Sequence, residues 1–149
     1  MTFIMREMSA ADRMAWIGMR SALWPDDTQE THAEAVDALL KDREAWAFLA
    51  EAGDGEMVGF AEVAVRKYAN GCDTRPVAFL EGIWVRPKFR RQGIGARLTR
   101  HIEAFLVPQG FRELGSDTQI DNLESQIAHR AWGFSETERV VYFRKDLTR

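Results

Sequence analysis

Three features of this sequence combine residue types and spacings that can do chemistry. The first is Arg90-Arg91-Gln92-Gly93-Ile94-Gly95, two arginines and a glutamine set directly before a Gly-x-Gly. Lacking Cβ atoms, Gly93 and Gly95 let the chain turn tightly and present consecutive N–H groups to an anion where a helix begins. A pyrophosphate would be held there mainly by main-chain donors and the helix dipole, with the guanidiniums and Gln92 supplementing them. Two other phosphate motifs fail on residue identity: the dinucleotide fingerprint needs a glycine where Leu98 stands, and a P-loop needs a Gly-Lys-Ser/Thr that the sequence lacks. The second feature is Glu81, inside the otherwise apolar run FLEGIWV. A carboxylate there is costly without a partner, which marks a functional position. The third is Asp117, which ends a short strand and either joins Glu81 in chemistry or caps the helix starting at Asn122.

The elements that would position these residues are legible from periodicity. Phe3 to Met8 alternates as a short strand; Ser9 and Asp12 form an N-terminal box for a helix striped by Met14, Ile17 and Leu23 and stopped by Pro25. Asp26 to Glu30 reads as a polar turn and Thr31 to Leu40 as a second helix, through Ala35, Val36, Leu39 and Leu40. Ala45 to Ala50 and Met57 to Val65 read as strands joined by Gly53-Asp54-Gly55. A longer connection, Arg66 to Pro76 with Asn70-Gly71, leads to the central strand Val77 to Val85. After the glycine loop come a helix from Ala96 to Phe105, a short strand from Glu113 to Asp117, a helix from Asn122 to Trp132 ended by Gly133, and a final strand from Thr137 to Phe143.

With 149 residues and 46% hydrophobic content, the chain suits one core, so one domain spanning 1–149 is expected. No apolar run approaches membrane-spanning length and the N-terminus has no signal-peptide pattern, so the expected location is the cytoplasm, with no membrane partner. Cys72 is the only cysteine and no Cys/His cluster has metal spacing, so no metal is expected. A net charge of −3 argues against nucleic acid and suits a cationic substrate.

The strand ending in Val85-x-Pro87 followed by Arg90-x-x-Gly93-x-Gly95 resembles the acyl-CoA pyrophosphate loop of the GNAT superfamily of N-acetyltransferases. The element order β-α-α-β-β-β-α-β-α-β is similar to that family's. The resemblance implies an α/β (α+β) fold, with a mixed, mostly antiparallel central sheet flanked by helices. Leu23-Trp24-Pro25, YANGCD at Tyr68 to Asp73, FLEGIWV at Phe79 to Val85, SDTQIDN at Ser116 to Asn122 and GFSETERVVYFRK at Gly133 to Lys145 extend the likeness over essentially the whole chain, to the bacterial aminoglycoside 6′-N-acetyltransferases.

That resemblance implies transfer of the acetyl group of acetyl-CoA to the 6′-amine of an aminoglycoside, conferring resistance. Ile83, Trp84 and Val85 would serve the pantetheine arm with main-chain groups, Arg91, Gln92, Gly93, Ile94, Gly95 and Ala96 would hold the pyrophosphate, and Asn122 would reach the pantetheine side. Glu81, Asp117 and Glu138 would receive the ammonium groups, with Trp24 and Tyr68 as walls or neighbours and Asp27 at the sugar. The amine's proton goes to Glu81 or to Asp117. His129 falls in the register of the family's thiolate-protonating tyrosine and has two readings, general acid or structural helix histidine. The related enzymes are commonly dimers, and the strand from Arg139 to Phe143 suits either an interface or an internal position. Two alternatives remain: a GNAT acting on another amine, such as a polyamine or a protein N-terminus, and a non-catalytic acyl-CoA-binding module.

Overall fold

A computed structural model describes residues 2–148. Among them, strands β1 (Phe3–Glu7), β2 (Ala45–Ala52), β3 (Met57–Arg66), β4 (Val77–Val85) and β5 (Leu114–Gly115) make one sheet in the order β1-β2-β3-β4-β5. The first four are antiparallel neighbours, and β5 joins β4 in parallel. A parallel neighbour requires a crossover, which here contains helix α3 (Ile94–Leu106).

The alternation of β2 and β3 sends side chains to both faces of the sheet, and each face is covered. On one, α1 (Arg13–Leu23) and α2 (Gln29–Lys41) pack Trp16, Ile17, Met19 and Val36 onto Ala47, Leu49 and Phe60. On the other, α3 packs Ile94, Leu98, Ile102 and Leu106 onto Phe48, Ala50, Val58, Ala61 and Leu80. The i, i+4 pair Leu98 and Ile102 is fully buried, so truncating either to Ala should cost about 2–5 kcal/mol. Helix α4 (Leu123–Ala131) lies beyond β5 and is followed by Gly133 at φ 96°. Among the described residues no helix is long and apolar enough to cross a membrane.

Most of the expected elements form within a residue or two of their expected bounds, with three corrections. Met14 faces solvent, and the stripe of α1 runs through Trp16, Ile17 and Met19. The strand expected at Glu113 to Asp117 shrinks to Leu114–Gly115. The strand expected at Thr137 to Phe143 does not form: among the described residues none follows α4, and the segment runs exposed with Val141 at 77% and Phe143 at 92% of full exposure. A strand needs an edge to pair with, and β5 offers a ladder of two residues.

Within β4 the ladder to β3 slips. Glu62 pairs with Gly82 and Val63 with Leu80, so Glu81 is an extra residue without a cross-strand partner. Such a bulge re-aims side chains. Here it turns Glu81 and Gly82 to the same face, toward α1 and α2, while Leu80, Ile83 and Val85 pack against the α3 side.

Candidate active site

Strands β4 and β5 pair only at Ala78 with Leu114 and Phe79 with Gly115. Beyond that point β4 continues to Val85, whereas the other chain leaves the sheet at Ser116. Gly82 to Val85 therefore keep their ladder to β3 but, among the described residues, have no strand on the opposite edge, where their peptide groups suit an extended, amide-containing ligand. Ser116 stands at the fork of this split.

At the far end of β4 a 3₁₀ turn, Pro87–Phe89, leads into the glycine loop. Arg90 Nε donates to the Val85 carbonyl at 2.8 Å and ties the loop to the strand end. Arg91 (φ 62°) and Gly93 (φ 77°) take left-handed backbone, and Gly93 is the N-cap of α3. The first intrahelical bond is from the Arg97 N–H to the Gly93 carbonyl, so the amides of Ile94, Gly95 and Ala96 open the helix without intrahelical acceptors, as an anion site requires. The two glycines differ in what they need. Gly93 has nothing within 4 Å of where a Cβ would stand and is required for its φ, whereas a Cβ on Gly95 would sit 2.6 Å from the Trp132 indole. Gly95 is thus where α3 and the end of α4 touch.

The acidic face lies on the α1/α2 side of β4, where a cavity of about 420 Å³ is lined by Arg20, Trp24, Ala35, Ala38, Leu39, Glu62 and Glu81. Trp24 crosses directly over Gly82, whose missing Cβ would stand 2.6 Å from two indole carbons. A buried network fixes this wall from behind. Glu62, only 4% exposed, accepts from the Trp16 indole at 2.7 Å and from Arg20 Nη1 at 2.6 Å, and the Arg20 guanidinium lies 4.7 Å from the Trp24 ring centre. The fully buried His32 donates from Nε2 to the Trp24 carbonyl at 2.9 Å, because a carbonyl only accepts; its Nδ1 lone pair then faces Arg20 Nε at 3.4 Å.

Glu81 is not free in this pocket. Arg66, the last residue of β3, donates from Nε to Oε2 at 2.9 Å and from Nη2 to Oε1 at 2.6 Å, with its guanidinium 3.6 Å from the Phe79 ring centre. The hydrogen bonds to Glu81 hold the Arg66 pKa above the usual guanidinium value, against the opposing effect of burial, and the charges of Glu81 and Asp117 add to the rise. Asp117 is exposed just past β5, near enough for its charge to act on the same guanidinium. Tyr68 is exposed beside Arg75, and Asp27 is exposed on the turn between α1 and α2. Glu138 lies on the extended tail, one residue past Thr137, which packs against Gly71.

Asn122, not Asp117, caps α4: its Oδ1 accepts from the Ser125 N–H at 3.1 Å, leaving the amide NH₂ for other work. His129 sits between Trp132 and Phe134, with Nδ1 2.7 Å from the Ser125 carbonyl and Nε2 2.7 Å from Ser116 Oγ. A carbonyl only accepts, so Nδ1 carries the proton and Nε2 accepts from the Ser116 hydroxyl. The result is a serine–histidine pair at the fork of the β4/β5 split. Cys72 lies against Gly115, and burial pushes its thiol pKa up, with Glu113 and Asp73 adding to the effect.

The sequence-based candidates thus divide. Glu81, Trp24 and the nearby charge of Asp117 belong to one face, and the loop residues Arg91 to Ala96 to the helix start; Asp27 donates its backbone N–H to the Trp24 carbonyl at 3.4 Å, while Tyr68 stands beside Arg75 and Glu138 on the tail past Thr137. Sequence reasoning misses Arg66, Gly82, Glu62, Ser116 and Trp132. Glu62 carried the same signal as Glu81, a carboxylate in an apolar strand. The others depend on pairings between distant segments.

Residues 11–134 match the model of the Acetyltransferase (GNAT) family. An aminoglycoside N(6′)-acetyltransferase type 1 of Serratia marcescens is 49% identical over 89% of this chain and 92% of that protein. Its namesake in Stenotrophomonas maltophilia is 46% identical over 95% and 92%. Among solved structures, AAC(6′)-Iy in complex with the bisubstrate analogue CoA-S-monomethyl-acetylneamine superimposes with a TM-score of 0.93 at 39% identity, covering 98% of this chain and 99% of that one. AAC(6′)-Ih from Acinetobacter baumannii gives 0.92 at 35% identity, covering 99% and 100%.

Proposed function

This chain belongs to the GNAT acetyltransferase family, and from that premise we propose that it acetylates the 6′-amine of aminoglycosides with acetyl-CoA, conferring resistance. The observation that carries the reading is the β4/β5 split, which sets an unpaired main-chain edge and a helix N-terminus beside an acidic, tryptophan-walled face. One side suits a long amide-containing thioester, and the other suits a polycation.

In this reading, the amides opening α3, with Arg91 and Gln92, bind the pyrophosphate, the free edge at Ile83 to Val85 takes the pantetheine amides, and the Asn122 NH₂ adds a donor. Asp117, Glu138 and Asp27 bind ammonium and hydroxyl groups, with Trp24 and Tyr68 as walls. Glu81 accepts the proton of the 6′-ammonium, directly or through water, while Asp117 orients the amine. The amine attacks the thioester carbonyl, main-chain N–H groups at the end of β4 stabilise the oxyanion, and the C–S bond breaks. The attacking nitrogen gives its second proton to water, and the thiolate takes one from the Ser116 hydroxyl, which recovers it from water; His129, whose Nε2 accepts from that hydroxyl, holds it in position. Cys72 takes no part.

The whole chain works as one catalytic domain, in the cytoplasm, as a homodimer and without a metal. The exposed apolar side chains Val141, Tyr142 and Phe143 support pairing with a second copy. Thiol release from acetyl-CoA tests the reaction, using a 6′-amino aminoglycoside and an analogue with a 6′-hydroxyl as its sole difference. N-acetylation of the first compound alone is expected. Equal N-acetylation of both would overturn the regiochemistry, and turnover with polyamines or peptides alone would replace the substrate class.

A further inference from the structure

We propose that Arg66 is a specificity-determining residue, a resident counter-ion of Glu81 that acceptors carrying several ammonium groups displace and acceptors carrying one do not. The inference rests on the aminoglycoside reading and deepens it. Glu81, made available by the bulge, has both oxygens engaged by the Nε and Nη2 donors of Arg66. The guanidinium lies on the ring of Phe79, a residue only 4% exposed and therefore a fixed platform. An incoming ammonium thus meets a cation already seated where it must bind.

A single ammonium is a compact, strongly hydrated charge, without the planar fork or the ring stacking of a guanidinium. On its own it exchanges poorly for Arg66. A polycation anchored first by Asp117 or another carboxylate presents its next ammonium at a high effective concentration, and the exchange then becomes favourable. The Arg66 side chain is 42% exposed, so it has solvent to move into. Its departure leaves both Glu81 oxygens to the amine that is to be deprotonated. A β3–β4 ion pair serving stability alone would have no such selectivity, since half-exposed pairs contribute little and do not distinguish acceptors.

Arg66→Gln removes the charge and the fork, and Arg66→Lys keeps the charge without the fork. The acceptors are a 6′-amino aminoglycoside and 6-amino-6-deoxyglucose, which offers the same primary amine on one otherwise neutral ring. For each protein, kcat/KM by thiol release, calorimetric affinity for both acceptors and Tm are measured. The preference for the aminoglycoside should fall by about tenfold or more in Arg66→Gln, through tighter binding of the monoamine, and by less in Arg66→Lys. A preference unchanged within about twofold, in a folded Arg66→Gln protein with wild-type acetyl-CoA affinity, would overturn the proposal. So would a loss of activity shared equally by both acceptors. Wild-type turnover of the 6′-amine separately tests the reaction assigned above; if that fails, the calorimetric affinity ratio still decides the role of Arg66.

Discussion

Gly82→Ala is the smallest change that should damage the acceptor site while sparing the acetyl-CoA site. A methyl at this position would stand 2.6 Å from Trp24 Cη2 and Cζ2 and 3.0 Å from Leu23 Cδ2, so the neighbours must retreat by about an ångström to regain van der Waals distance. The Trp24 backbone is held, since its N–H donates to Arg20 and its carbonyl accepts from the buried His32. The indole is therefore the part that moves. Overpacking of this kind costs about 1–3 kcal/mol. If the indole swings away, the cost appears as an acceptor KM raised by roughly five- to a hundredfold. If it stays, Tm falls, by about 2–4 °C for each kcal/mol. Steady-state kinetics with each substrate varied in turn, together with thermal melts, separate these outcomes, and acetyl-CoA KM should stay near wild type. Adding Trp24→Phe should restore Tm without restoring the wall. An unchanged acceptor KM and an unchanged Tm in Gly82→Ala would refute the crossing of Trp24 over β4.

Gly93→Ala should cost about 1–2 kcal/mol through its left-handed φ alone, whereas Gly95→Ala should be rescued by Trp132→Leu, which removes the colliding indole; melts and acetyl-CoA KM for both single variants and the Gly95/Trp132 pair check this. Asp117→Asn and Glu138→Gln should each weaken antibiotic binding by roughly 1–3 kcal/mol, with a shallower salt dependence than wild type and little change toward acetyl-CoA, as read by calorimetry across salt. Ser116→Ala and His129→Phe should lower kcat by similar factors, and the double variant should lose little more, because the two act in series; additive losses would separate the residues. Hydrogen bonds from Arg6 hold the Asp12 carboxyl below the usual carboxylate range, and the Ser9 amide helps, so its contribution to stability is present above pH of about 4 and is lost as pH falls through the lowered folded value. Asp12→Asn should therefore lower Tm at neutral pH and flatten its fall in acid.

The strands β2 to β4 were readable because hairpin glycines and β-branched or aromatic runs encode them locally. The glycine loop was readable because its function lies in the backbone. Glu81 stood out by being in the wrong kind of strand, but its partner did not: Arg66 reads as the start of a loop, and only the antiparallel β3–β4 pairing brings the two together. Ser116 and His129 likewise meet because α4 folds back over the end of β5. Met14 precedes Ile17 by one turn and so reads as part of the stripe, but the buried stripe is centred on Trp16 and Met19, and the helical turn carries Met14 past its edge to the solvent side. The tail from Thr137 to Phe143 has a strand's composition, but a strand is a property of two segments, and within the described chain the second is missing.

The order β1-β2-β3-β4-β5 means that every strand lies next to the one made before it. During synthesis each new strand meets an edge that has already left the ribosome, and the β2–β3 hairpin closes over a loop of a few residues. The first four strands and both helices of the acceptor wall are complete in the first three-fifths of the chain. The glycine loop, the serine at the fork and the histidine behind it arrive last. Folding as the chain emerges would therefore build the acceptor wall before the thioester side exists, and the opposite face of the sheet would stay bare until α3 arrives to cover it.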